Sequence, residues 1–243
     1  MALSALGVIP ARLASTRLPR KVLREIAGRP LVAWVYEAAR RAPDLADVLV
    51  ATDADEVVSV CRGLGIPVVM TSAEHPSGTD RIWEVSQSRP ADVYVNIQGD
   101  EPFVTANHVA RLVEPFRTAP DTLVSTLCIR ATPDEVDARQ VNKVVFGAGG
   151  RALYFSKYGI PFDRDGRGAI RYKHIGLYAY RRPALEAFHR LPPSTLEKTE
   201  GLEQLRFLEN GIAITVRETT DATIGVDTEE DLRAAEARLI ARR

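Results

Sequence analysis

Gly7-Val-Ile-Pro-Ala-Arg-Leu-Ala-Ser-Thr-Arg-Leu-Pro-Arg-Lys21 runs an apolar segment straight into a loop of small residues that carries Arg12, Arg17 and Lys21. An apolar run of strand length that ends in such a loop reads as the first strand of an α/β sheet. The loop then sits at the carboxyl end of the strand, where open sheets of this class bind ligands. The charge is local, because the 243-residue chain has 32 basic and 32 acidic side chains and one of its five lysines falls here. A knot of positive charge in a neutral chain suits a small polyanion, whereas nucleic acid calls for a broad basic excess. Ala14, Ser15 and Thr16 let backbone N–H groups approach phosphate oxygens, and the three basic side chains add charge-assisted bonds. Neither Gly-x-x-x-x-Gly-Lys-Ser/Thr nor Gly-x-Gly-x-x-Gly is present, so the loop is not a P-loop or a dinucleotide fingerprint.

Working outward, further strands are expected at 47–51, 66–70 and 92–97, after a first strand at 4–9. Leu31, Val35, Ala38 and Ala39 recur at helical spacing between them, and Asp55 to Leu64 and Thr79 to Gln87 also suit helices. Strand and helix in alternation imply a three-layer α/β/α fold around a mostly parallel central sheet. Its functional loops are then the basic loop, Thr52-Asp53, Thr71 to Thr79 with Ser72, and Gln98-Gly-Asp-Glu-Pro102.

The texture changes near residue 122. Expected there are a strand at 122–129, a helix at 133–138, a hairpin around Gly147-Ala-Gly-Gly150 and a strand at 172–180. Helices follow at 182–189, 200–209 and 229–239. We therefore expect one domain over 1–243, with a subregion of about 130–190 that completes a site and supplies a dimer surface.

Composition narrows the class. An apolar fraction of 45% and a charged fraction of 26% describe an ordinary globular chain. No apolar run is long enough to insert in a membrane, and the N-terminus lacks the features of a signal peptide, which points to the cytoplasm. Cys61 and Cys128 lie in apolar contexts without Cys-x-x-Cys spacing and read as reduced core thiols.

Asp100 and Asp227 each follow an apolar strand-like run. A turn residue and a helix N-cap are the ordinary explanations, but neither accounts for an acid in that place twice. Carboxylates suit Mg²⁺, a hard ion that shares its coordination shell with substrate phosphates, so the two aspartates are expected to meet around it against a triphosphate. Among the histidines, His108 and His189 are expected at or near the surface and His75 is ambiguous. His174 shares a strand face with Gly176 and Tyr178, and the small residue between two polar rings leaves room for a ligand or for ordinary core packing. Glu203 and Gln204 read as one face of a helix, and Arg81 as a possible partner for a carboxylate.

Taken in order, these segments, with Ala152-Leu-Tyr-Phe-Ser156, His174-Ile-Gly-Leu-Tyr178, Leu202-Glu-Gln-Leu-Arg206 and Gly225-Val-Asp-Thr228, closely resemble the 3-deoxy-manno-octulosonate cytidylyltransferases over nearly the whole chain. The resemblance implies transfer of CMP from CTP to the anomeric hydroxyl of the eight-carbon acid sugar Kdo. Pyrophosphate leaves, Mg²⁺ is the cofactor, the assembly is a homodimer, and the product serves lipopolysaccharide synthesis. It implies Arg12, Arg17 and Lys21 on the triphosphate, with Pro10, Ser15, Asp53, Ser72 and Gln98 as further CTP contacts. Asp100 and Asp227 are the implied metal ligands, and with Arg12 and Lys21 the catalytic set. Arg81, Gln98, His174, Tyr178, Glu203 and Gln204 are the implied sugar contacts. Arg20 departs from the family, which has glycine before the lysine; a positive φ there would be strained. A related acid sugar as acceptor (8-amino-Kdo or sialic acid) and a non-catalytic nucleotide-binding dimer are the alternatives.

Overall fold

β1 (Ala5–Pro10) is buried at every residue, as an unbroken apolar run in a sheet covered on both faces should be. The computed structural model describes residues 3–14 and 18–241, so Ser15, Thr16 and Arg17 lie outside the described residues. Lys21–Leu23 form a single 3-10 turn, and β2 (Glu25–Ile26) pairs with β3 (Arg29–Pro30) in a minimal hairpin. Arg20 precedes that turn with φ 57° and ψ 31°, the left-handed geometry in which a side chain is strained and glycine is not.

Next come α1 (Leu31–Ala39), β4 (Asp47–Thr52), α2 (Asp55–Gly63), β5 (Val68–Met70), α3 (Gly78–Ser88), β6 (Val93–Asn96) and α4 (Ala106–Thr118). These strands form a parallel sheet in the order β6-β1-β4-β5, with Gly7 of β1 set against Val48 on one side and Val95 on the other. α1 buries Leu31, Val35 and Ala39 of the expected helical spacing, with Val32 and Ala33 beside them, while Ala38 is only half-buried. α2 opens with Asp55 and Glu56, which favour the positive end of the helix dipole, and Gly65 at φ 69° follows its end. α3 is capped by Ser77, whose Oγ accepts from the Asp80 N–H at 3.1 Å, a contact worth about 1 kcal/mol.

The second stretch holds β7 (Val124–Arg130), α5 (Pro133–Asp137), β8 (Lys143–Phe146), β9 (Ala152–Ser156), β10 (Tyr172–Tyr180), α6 (Arg182–Arg190), α7 (Thr195–Glu200), α8 (Leu205–Glu209) and β11 (Ile214–Glu218). β10 runs antiparallel to β7 and β8, β8 and β9 make the expected hairpin, and β11 lies parallel to β7. Lys143 is fully buried at the open end of that hairpin, opposite Ser156. Its ammonium donates to the carbonyls of Ala138, Val141 and Lys157 at 2.9, 2.6 and 2.5 Å. α9 (Glu229–Ile240) ends the described chain. The chain divides into two compact units, residues 1–110 with 223–243 and residues 111–222.

Two expectations change. A single helix over 200–209 is replaced by α7 and α8, because Gly201 adopts φ 65° and ends the first of them. The N–H groups of Gly201 and Leu202 both return to the Glu197 carbonyl, a helix stop that glycine makes without strain. His108 is not at the surface. It is fully buried, and its Nδ1 accepts from the Thr105 N–H at 3.1 Å at the start of α4. His189, by contrast, is exposed as expected.

Candidate active site

At the carboxyl ends of β1 and β6 the first unit opens into a cleft of about 310 Å³. Pro10, Arg12, Lys21, Gln98, Asp100 and Asp227 all line it, together with Gly99. The turn after β6 approaches β1 closely, since a Cβ on Gly99 would stand 2.8 Å from the Pro10 carbonyl oxygen. Only glycine permits that approach, which brings Gln98 and Asp100 beside the loop that carries Arg12.

Asp227 comes from the far end of the sequence. The Val226 N–H donates to the Asp100 carbonyl at 2.9 Å and so ties the two loops at the backbone. The capping box of α9 then fixes the other side. Thr228 accepts from the Asp231 N–H at 3.1 Å, and the Asp231 carboxylate accepts from the N–H groups of Asp227 at 3.0 Å and Thr228 at 2.9 Å. Asp227 is thus held just ahead of a helix N-terminus by the residues that start that helix.

The two carboxylates converge on one ammonium. Lys21 Nζ donates to Asp100 Oδ2 at 2.5 Å and to Asp227 Oδ1 at 2.9 Å. Burial alone would lower the lysine's pKa, but the charges and hydrogen bonds of the two aspartates outweigh it and raise it, so the ammonium is retained. Arg12 reaches across the cleft, its Nη2 donating to the His75 carbonyl at 2.9 Å, and the His75 ring pairs with Glu84.

Asp53 and Ser72 face elsewhere. Arg81 is fully buried and its guanidinium donates to Asp53 Oδ2 at 2.9 Å and to Thr71 Oγ1, while the Ser72 N–H donates to Glu84 at 2.9 Å. Arg81 therefore clamps the loops after β4 and β5 to each other.

In the second unit His174 and Tyr178 lie on β10 with ring centroids 5.4 Å apart. In a regular strand, residues four apart are separated by about 13 Å. The register between β10 and β7 slips between Ile175 and Tyr178, so Gly176 and Leu177 form a bulge that draws the rings together. Gly176 is therefore not a spacer between two rings, as period-two alternation suggested; a Cβ on it would meet nothing within 4 Å. Thr126 Oγ1 lies 2.9 Å from His174 Nε2 and donates to the Leu177 carbonyl at 2.8 Å, bracing the bulge. Burial lowers the His174 pKa to about 3, leaving a neutral imidazole, and pushes the Tyr178 phenol well above its usual range. Gln204 is buried in the turn before α8. Gln204 Nε2 is buried without a hydrogen-bond partner among the described residues, and Tyr178 Oη makes no well-formed hydrogen bond there, although the Thr126 hydroxyl lies close enough to act on the phenol. Glu203, partly exposed, lies near enough for its charge to act on the Tyr178 phenol.

A family model described as Cytidylyltransferase matches residues 6–216. A 3-deoxy-manno-octulosonate cytidylyltransferase of Acidobacterium capsulatum is 57% identical over 242 residues, covering 99% of this chain and 98% of the relative. One from Koribacter versatilis is 53% identical over 239 residues, 98% of this chain and 91% of the relative. The solved structure of CMP:2-keto-3-deoxy-manno-octonic acid synthetase complexed with CTP superposes with a TM-score of 0.95 at 41% identity, covering 99% of this chain and 100% of that one. The chain belongs to the 3-deoxy-manno-octulosonate cytidylyltransferase family.

For a 3-deoxy-manno-octulosonate cytidylyltransferase the thiols are bystanders. Cys61 and Cys128 are buried and free, and burial raises their pKa values to about 11 and about 12, far from a reactive thiolate. Sequence reasoning passed over three residues that shape this cytidylyltransferase. Gly99 had a signal, a glycine in the polar turn that follows a strand. Asp231 had one too, in the Thr-x-x-Asp start of α9. Thr126 had none, because an apolar strand gives no sign of the bulge that its hydroxyl braces.

Proposed function

We propose that Arg12 and Lys21, with Ser15 and Arg17 of the same loop, take the triphosphate of CTP, and that Asp100 and Asp227 hold Mg²⁺. In the second unit His174, Tyr178, Glu203 and Gln204 take Kdo. The reaction is transfer of CMP from CTP to the anomeric hydroxyl of the sugar with release of pyrophosphate. The observation that carries this assignment is the convergence of Asp100 and Asp227 on one cationic centre in a cleft that also contains Arg12.

The donor set fits the metal. Two hard carboxylate oxygens can face a single cation, and no third Asp, Glu, His or Cys joins them among the described residues. Mg²⁺ prefers that composition, completing its shell with substrate phosphates and water. Bound there, it would neutralise developing charge on the phosphates. Arg12 and Lys21 add charge-assisted bonds to the same oxygens, and Gln98 stands in the cleft to orient the nucleotide and its acceptor. Positioning and electrostatics suffice for this chemistry without a covalent enzyme intermediate.

On the sugar side, the buried Tyr178 Oη and Gln204 Nε2 are polar groups left for hydroxyls of a ligand. The neutral His174 can donate or accept a hydrogen bond but brings no charge. Arg81, in the first unit, holds Asp53 and Thr71 in place.

Leu153, Tyr158, Phe162 and Ile170 are 63%, 67%, 86% and 54% exposed, and this concentration of apolar surface within 130–190 supports a homodimer built on that region. No helix among the described residues is long and apolar enough to cross a membrane, in keeping with cytoplasmic work on two small substrates in lipopolysaccharide synthesis. Pyrophosphate release with CTP, Mg²⁺ and each of Kdo, 8-amino-Kdo and sialic acid tests the whole assignment. Turnover that is fastest with Kdo and absent without Mg²⁺ is expected. Faster turnover with another sugar, or CTP binding without pyrophosphate, would overturn it. Light scattering of the wild type and Phe162→Ser tests the dimer, which the substitution should weaken.

A further inference from the structure

Lys21 is assigned above to the triphosphate, yet its ammonium is hydrogen-bonded to both carboxylates, at 2.5 and 2.9 Å. These two positions exclude each other in the working complex. A divalent cation on Asp100 and Asp227 and an ammonium on the same pair would place like charges in contact. Charge balance points the same way: one ammonium leaves two carboxylates with a net negative charge, and a divalent cation neutralises them.

The backbone around Lys21 is held, so that only its side chain need turn. Arg20 pairs with Glu56 of α2, the Leu23 N–H returns to the Arg20 carbonyl at 2.9 Å, and Val22 beside Lys21 is buried. The four-carbon lysine stem is flexible and ends in a compact charge, so the ammonium can change partners without moving the loop.

We propose that Lys21 is an exchangeable internal cation: it occupies the convergence point of Asp100 and Asp227 until metal and nucleotide arrive together, then gives that place to the metal and turns to the triphosphate. This rests on the assignment of the two aspartates to the metal. Metal alone must displace the ammonium with no new anion to receive it, and so binds weakly. The metal–CTP complex brings both the replacement cation and the anion, so Lys21 couples the two binding events.

The test is titration of Mn²⁺, followed by its paramagnetic resonance signal, into the nucleotide-free full chain. Lys21→Met should bind Mn²⁺ about tenfold or more tighter than wild type, the equivalent of one charge-assisted hydrogen bond no longer to be broken. Lys21→Arg, which keeps the charge, should bind no tighter than wild type. Lys21→Gln should follow Lys21→Met and serves if the methionine variant folds poorly. Equal or weaker Mn²⁺ binding in the folded neutral variants overturns the exchange. Asp100→Asn and Asp227→Asn are titrated in parallel in the CTP complex. If they lose Mn²⁺ while the neutral Lys21 variants gain nothing, the metal assignment stands and the exchange alone falls. If they bind Mn²⁺ like wild type, both fall.

Discussion

The backbone N–H of Val226 donates to the carbonyl of Asp100 at 2.9 Å, and through this bond two loops from opposite halves of the sequence share one site. It explains how Asp227 faces the same ammonium as Asp100 although each is carried by a different element. The bond is independent of side-chain identity, so the carboxylates can be changed without undoing the connection. Asp100→Asn and Asp227→Asn should each lower turnover by about 10²–10³-fold, the scale of losing one electrostatic stabiliser of the transition state, with only a small change in melting temperature. Pyrophosphate release and thermal unfolding measured on the same samples check this.

Gly99 is a packing constraint with a catalytic consequence. A methyl group 2.8 Å from the Pro10 carbonyl oxygen forces the β6 turn away from β1. Gly99→Ala should destabilise by about 1–3 kcal/mol and raise the KM for CTP, because Gln98 and Asp100 move with the turn. Urea unfolding and steady-state kinetics give the two numbers.

Thr228 stabilises α9 and, through Asp231, the backbone of Asp227. Thr228→Ala should cost about 1 kcal/mol of stability. If the cap also aims Asp227, the Mg²⁺ concentration for half-maximal rate rises, whereas Thr228→Ser, which keeps the oxygen, restores it.

Burial lowers the His174 pKa to about 3, against about 6.5 in an unfolded chain. Between these values the unfolded state binds a proton that the folded state refuses. The contribution of this group is intact above about pH 6.5 and lost as the pH falls toward 3, with a slope of at most about 1.4 kcal/mol per pH unit. His174→Gln should flatten the acid side of the stability profile, measured by urea unfolding from pH 4 to 7. An unchanged slope would mean that the imidazole is not desolvated in the folded enzyme.

Arg81 is fully buried and Asp53 is 19% exposed, so removing one partner leaves a poorly solvated charge. Arg81→Met should destabilise by about 3–5 kcal/mol, and adding Asp53→Asn should recover part of the loss. A denaturation double-mutant cycle measures the coupling.

Much of this was open to inspection before folding was considered. β1, β4, β6 and β10 are apolar runs bounded by turn residues, and β10 occupies the expected residues, Tyr172–Tyr180. Lys21, Asp100 and Asp227 were singled out because charge at the end of an apolar strand needs a reason. The expectation of one helix over 200–209 rests on the apolar spacing of Leu202, Leu205 and Leu208, and periodicity does not register the left-handed Gly201 just before them. A polar ring on a helix is ordinarily solvated or half-buried, which is the expectation for His108 that its full burial overturns. Its Nδ1 is satisfied instead by the Thr105 N–H, and that partner makes burial tolerable.

The parallel α/β alternation, the ends of strands at which ligands bind and the residue types available there are all legible in the linear order of residues. These follow from local periodicity and from the cost of placing charge beside apolar strands. Which charges meet was settled by long-range packing. It turned Arg81 inward to Asp53, folded the His174 and Tyr178 rings together through a bulge, and seated the Lys21 ammonium between Asp100 and Asp227. The last of these depends on the close approach at Gly99 and the Val226–Asp100 bond, contacts between segments far apart in the chain.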